Sequence, residues 1–174
     1  LRGSSAGKRR SKLIAYFAKG GDFGQAISIL KNLIPVMAES GGFSASSYYK
    51  IIPYFQKAGR YQESLKYTKE VIIPAVIADR KSSHGHCVPE ILQALTHNCI
   101  SQIFNKLALA AKREGEAEHL DSFKALEREH YDKYQVLLKI GEQKQLESEY
   151  QELMRVLGED TDQWPLSIRR KFKL

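Results

Sequence analysis

Cysteine is scarce in this chain, which contains only Cys87 and Cys99. Two cysteines cannot supply a disulfide framework, so we expect a reducing, cytoplasmic setting. Long apolar runs are lacking as well. The longest, residues 71–78, is interrupted by Pro74 and is far shorter than the ~20 residues that a membrane span requires. No signal-peptide pattern opens the chain, and we expect no membrane partner.

Strand and catalytic patterns are missing too. No segment alternates between apolar and polar residues over a useful length, so no sheet is expected. There is no Gly-rich phosphate-binding loop and no HExxH sequence. Cys87 follows His86, but no third group completes a nucleophilic arrangement. The sequence therefore predicts a protein that is not an enzyme and uses no cofactor.

Acidic residues are too few to balance the basic ones, and the net charge is +7. Nine basic residues at the two ends account for this excess, and the rest of the chain carries −2. These nine are Arg2, Lys8, Arg9, Arg10, Lys12, Arg169, Arg170, Lys171 and Lys173. One alternative is therefore a helical protein that binds nucleic acid through its basic termini.

Helical periodicity is abundant. Apolar residues recur at three- and four-residue spacing along most of the chain, which predicts an all-α fold of about seven helices. Pro35 is expected to end or kink the second helix, and Pro53 to distort the third. The sixth helix is expected to bury Leu120, Phe123, Leu126, Tyr134, Leu137 and Leu138. Breaks are expected at Gly20–Gly21, Gly41–Gly42, Gly59, residues 79–88, Gly115 and Gly141.

These breaks define the expected domain organisation. Residues 1–7 are left out of the fold as a disordered or expression-derived segment, and residues 8–157 form one helical domain. Residues 158–174 are expected to be an irregular C-terminal tail, which docks through Trp164 and Pro165.

An internal repeat runs through the first half. Gly21-Asp22-Phe23 matches Gly59-Arg60-Tyr61, 38 positions later. At the same offset, Ala26 is aligned with Ser64. Pro35 and Pro74 fall one position out of step. This pattern resembles the tetratricopeptide repeat, a helix-turn-helix unit of about 34 residues with a Gly-x-aromatic corner. The resemblance is best over residues 8–78 and weaker to about 140. It implies a right-handed array of antiparallel helical hairpins.

Basic residues recur in the first helix of each hairpin. A lysine lies nine residues before each corner glycine, and a lysine or arginine lies two residues before it, so each pair shares one helical face. In tetratricopeptide proteins the first helices form the concave wall, so the resemblance implies a basic groove for an acidic peptide or protein. An adaptor, a chaperone and a regulatory or immunity-type protein would all use such a groove. Its expected residues are Lys12, Lys19, Tyr49, Lys50, Gln56, Lys57, Asn105, Lys106, Lys112 and Arg113.

Two further interpretations stay open. The fold could be a plain helix bundle whose lysines form an ordinary solvated face. His84, His86 and Cys87 could also chelate a metal from one loop, as in a small metal-dependent enzyme, although their spacing matches no standard zinc pattern.

Overall fold

The computed structural model describes the backbone of residues 5–174 and the side chains from Lys12 onward. Arg2 and the side chains of Lys8, Arg9 and Arg10 therefore lie outside the described residues. Within 5–174 the fold is all-α and contains no strand, which confirms the predicted class.

The helices form seven stretches along the described chain. The third stretch consists of two short helices, and the fourth is continuous but contains a π-helical segment. The α-helices are α1 (Ser5–Lys19), α2 (Phe23–Ser40), α3 (Ala45–Tyr49), α4 (Ile52–Lys57), α5 (Tyr61–Tyr67), α6 (Ile73–His84), α7 (Pro89–Glu114), α8 (Ala117–Leu157) and α9 (Leu166–Phe172). The π segment is Thr68–Ile72, and a 3₁₀ turn spans Thr161–Gln163.

Three glycines end helices in the same way, as the repeat predicts for Gly21 and Gly59. Gly21, Gly59 and Gly115 have φ of 80°, 68° and 78°, which a residue with a Cβ adopts only under strain. The next residue in each case donates its N–H to the carbonyl five positions earlier, the bond that defines a Schellman motif. These motifs turn α1 into α2, α4 into α5, and α7 into α8.

The hairpins pack on one another in chain order. Helix α2 contacts α1, α4 and α6, whereas α7 contacts α3, α4, α5, α6 and α8. The core between them is made of side chains such as Ile27, Leu30, Ile51, Phe55 and Ile103, each at most 1% exposed. A single hairpin cannot cover its own apolar face, so this stacking stabilises the molecule.

The three prolines of the first two hairpins have different effects because their neighbours differ. Pro35 does not end α2, which continues to Ser40. Pro53 divides the third stretch: α3 ends at Tyr49 and α4 begins at Ile52, because proline lacks the N–H that would bond the Tyr49 carbonyl. Pro74 follows the π segment, in which Ile73 donates its N–H to the Thr68 carbonyl five residues back. A π-helical turn adds one residue, which explains why Pro35 and Pro74 are out of step.

Gly141 does not separate two helices, contrary to the prediction. It is buried in the middle of the 41-residue α8. A Cβ at this position would lie 2.6 Å from Ile91 Cγ1 and 2.8 Å from the Ile91 backbone nitrogen. Glycine is therefore needed for the close approach of α8 to the first turn of α7, and it does not signal a turn. The predicted apolar stripe of this helix is half-buried along α7.

Residues 79–84 are also helical, although a loop was expected there. They form the last turns of α6, and Asp79 is fully buried there. Its carboxylate accepts the N–H groups of Gly42 (3.1 Å) and Phe43 (3.0 Å). It also accepts the Tyr48 hydroxyl and an Arg80 N–H (2.6 Å). This network ties the loop between α2 and α3 to α6.

The C-terminal segment is ordered as a helical hook and is not irregular. Trp164 is 3% exposed and donates its indole N–H to the Gly158 carbonyl at 3.0 Å. Its ring packs on Tyr150 of α8, which also contacts Phe172 of α9. Of the two residues predicted to dock the tail, Trp164 does so, whereas Pro165 is exposed.

Candidate functional site

A cleft between the broken third stretch and α7 brings together four of the ten predicted groove residues. Its volume is about 280 Å³. We call it the basic cleft, and it is lined by Tyr49, Lys50, Pro53, Lys106, Leu109, Ala110 and Arg113.

The local sequence explains why these side chains converge. Residues 106, 109, 110 and 113 recur at three- and four-residue spacing, so they share one face of α7. Across the cleft, the break that Pro53 causes leaves Tyr49 and Lys50 at the end of α3. The Lys106 ammonium lies 5.4 Å from the centre of the Tyr49 ring, a cation–π contact that joins the two walls.

The basic cleft is positive and has no internal neutralisation. Lys50, Lys106 and Arg113 line it, no acidic residue does, and none of the three forms an ion pair with another described side chain. Burial lowers the pKa of Lys50, because removal from water disfavours its charged form. An anion placed beside Lys50 would offset that cost.

Apolar surface forms the rest of the lining of the basic cleft. Gln56 does not line the cleft; it donates to the Glu114 carboxylate at 2.8 Å and so ties the end of α4 to the end of α7. Pro53 and Leu109, which the sequence did not assign to the site, supply apolar surface, and Leu109 is 42% exposed. Their spacing from Lys50, Lys106 and Arg113 was the signal that would have found them.

The other predicted residues lie elsewhere. Asn105 donates to Glu127 of α8 at 2.7 Å, so it faces the α7–α8 hairpin. The Lys57 ammonium lies 5.3 Å from the Phe23 ring and packs on the start of α2. Lys12, Lys19 and Lys112 are exposed and do not line the basic cleft.

The three residues of the metal-binding alternative do not form a metal site among the described side chains. His84 ends α6, where its Nδ1 lies 2.8 Å from the Ser83 hydroxyl, while His86 is exposed and Cys87 is half-buried. Among the described side chains no three His, Cys, Asp or Glu residues come together in a way that could hold a metal ion.

The basic C-terminus is partly neutralised. Arg169 lies 3.4 Å from Asp162, and Lys171 pairs with Glu149 of α8. These pairs reduce the free positive charge that the nucleic-acid alternative requires, and the N-terminal basic side chains other than Lys12 lie outside the described part.

Comparison with known proteins adds no assignment. Neither a protein-family model, nor a curated protein, nor a solved structure matches the chain. Of the helices described here, none combines the length and apolar character that crossing a membrane demands.

Proposed function

We propose that this chain is a non-catalytic protein–protein interaction module that holds an acidic segment of another protein in the basic cleft. The observation that carries the proposal is the cluster of Lys50, Lys106 and Arg113 in one cleft without an acidic neighbour in its lining. Opposite charge speeds the encounter of two proteins and fixes their register.

The lining also limits the partner's chemistry. A cleft of about 280 Å³ accommodates one or two side chains of an extended segment. A carboxylate would contact the lysines and the Arg113 guanidinium, which can form two parallel hydrogen bonds to it. An apolar neighbour in the same segment would cover Pro53 and Leu109. The preferred ligand is therefore an acidic residue next to an apolar one.

The stacked hairpins support a tetratricopeptide-like array as the scaffold. In such arrays each repeat contacts only its neighbours, and the first helices present one extended surface. The broken stretch of α3 and α4 is the first arm of the second hairpin, and α7 is the first helix of the third. Together they form the two walls of the basic cleft.

Paired affinity capture tests this function. The baits are the wild-type chain, Lys50→Glu/Lys106→Glu, and the control Lys124→Glu/Lys139→Glu. The control reverses two exposed lysines of α8 and produces the same net charge. The proposal predicts that the wild type and the control capture a protein that contains an acidic segment. The cleft variant should not capture it. Retention of the same proteins by all three baits would contradict it.

A further inference from the structure

A second cleft lies where the π segment faces α7 and the start of α8. Its volume is about 430 Å³, and it shares no residue with the basic cleft. Most of its wall is apolar, from Leu65, Ile73, Phe104, Leu107 and Phe123. We call it the apolar cleft.

Thr68, the first residue of the π segment, lines this cleft and is 1% exposed. Its hydroxyl has no hydrogen-bond partner among the described residues, and neither does the buried hydroxyl of Ser64, one turn earlier. Buried hydroxyl groups in native proteins nearly always have a partner, so an orphaned one requires an explanation.

The first hairpin offers an internal comparison. The repeat aligns Ser64 with Ala26 and Thr68 with Leu30, and both residues of the first hairpin are fully buried core residues. The second hairpin therefore carries a smaller, polar residue where the first carries leucine. This exchange puts a smaller residue beside α7 and leaves its buried hydroxyl group in the wall of the apolar cleft.

The backbone is unusual at the same point. The fourth helical stretch has π geometry from Thr68 to Ile72, whereas α2 is α-helical throughout. Single π-helical turns within α-helices occur frequently at functional sites. The extra residue and the orphaned hydroxyl thus coincide at one wall of the apolar cleft.

The charged residue of the lining is Lys69. His119 also lines the apolar cleft, and no acidic residue does. Lys69 is exposed, and His119 Nδ1 lies 3.1 Å from the Tyr61 hydroxyl. A ligand with an anionic head and an apolar body therefore matches the charge and the apolar character of the lining.

We propose that the apolar cleft binds a small amphipathic monocarboxylate, such as a medium-chain fatty acid. Its carboxylate accepts the Thr68 hydroxyl and pairs with Lys69, and its chain packs between Phe104, Leu107 and Phe123. The hydrogen bond satisfies Thr68, and burial of the chain covers apolar surface.

Titration of the full chain with octanoate and with the neutral 1-octanol, followed by amide NMR shifts, tests the proposal. Octanoate should bind the wild type and shift the amides of the π segment. Thr68→Leu copies the first hairpin and fills the space, so binding of both probes should fall by about tenfold or more. Lys69→Gln should weaken octanoate by roughly tenfold and leave octanol unchanged. Thr68→Val, which keeps the shape, should also weaken octanoate by roughly tenfold.

Two controls keep this result separate from the proposed function. Lys66→Gln removes an exposed lysine of α5 outside the cleft and should change neither affinity. Lys50→Glu/Lys106→Glu should bind octanoate like the wild type. The proposal is overturned if octanoate does not bind, or if the wild type, Thr68→Leu and Thr68→Val bind it equally.

Discussion

Asp79 is the residue on which the junction of α2, α3 and α6 depends. Burial alone would raise its pKa, but the hydrogen bonds from Tyr48, Phe43 and Arg80 outweigh that effect and lower it. Oδ1 accepts bonds from Gly42, Arg80 and, at 3.4 Å, Ser83, and Oδ2 accepts bonds from Phe43 and Tyr48. The site therefore requires an ionised carboxylate.

Asp79→Asn tests this requirement. The amide NH₂ of Asn would face groups that are themselves hydrogen-bond donors. Arg80 would also lose the buried carboxylate with which it forms an ion pair. We expect a loss of about 2–4 kcal/mol in the free energy of unfolding, measured by urea denaturation. Asp121→Asn, at an exposed position of α8, is the control and should change it by less than about 0.5 kcal/mol. Equal effects of the two substitutions would show that the Asp79 network is not needed.

A histidine pair joins α7 to α8. His97 Nδ1 and His130 Nδ1 are 2.8 Å apart, with Glu129 and Lys133 nearby. Burial lowers the pKa of both histidines; Lys133 adds to the effect on His97, and His97 adds to that on His130. Below the ordinary histidine pKa of about 6.5 the unfolded chain therefore binds more protons than the folded one.

This difference predicts how stability depends on pH. The free energy of unfolding should fall as the pH is lowered from 7.5 to 5.5. His84, whose pKa is also lowered by burial, contributes with the same sign. His130→Gln should reduce the slope and leave the contribution of His84, when unfolding is followed by urea titration at several pH values. An unchanged slope would contradict the assignment to the pair.

At the scale of the helix, helix propensity and packing have opposite effects on a substitution of Gly141. By intrinsic propensity, Gly141→Ala would stabilise α8 by about 1 kcal/mol. The contact with Ile91 opposes this, because a Cβ would meet backbone as well as side-chain atoms there.

We expect Gly141→Ala to destabilise the protein by about 1–2 kcal/mol, since overpacking costs exceed the gain in propensity. Thermal unfolding with a matched variant measures it. Ala125→Gly, at an exposed position of the same helix, should cost about 1 kcal/mol through propensity alone. If Gly141→Ala raises the melting temperature, α8 does not approach α7 as closely as described.

These elements show which features can be predicted from sequence. The corners at Gly21, Gly59 and Gly115 were predictable because a glycine that ends a helix depends only on its own turn. The role of Gly141 was not, because it depends on Ile91, 50 residues away along the chain. Asp79 was missed for the same reason, since Gly42, Phe43 and Tyr48 precede it by more than 30 residues.

The candidate site was predictable to a similar extent. Periodicity placed Lys106 and Arg113 on one face, and both line the basic cleft. Lys50 and Lys57 also have the seven-residue spacing, but Pro53 breaks the helix between them, and Lys57 packs on Phe23. Right-handed stacking of the hairpins stays a prediction.

For the molecule as a whole, the two clefts divide the surface by chemistry. The basic cleft lies between the second and third hairpins on α3, α4 and α7, whereas the apolar cleft involves the π segment, α7 and α8. Helix α7 contributes residues to both clefts, so its position determines the shape of both.

Titration calorimetry of the captured partner measures whether the basic cleft binds it. Lys50→Glu/Lys106→Glu should weaken binding by about 1 kcal/mol if the contacts lie at the rim, and by several kcal/mol if they are desolvated. Lys124→Glu/Lys139→Glu should retain wild-type affinity. Equal losses from both double variants would mean that net charge alone determines binding, and would contradict the assignment of the basic cleft.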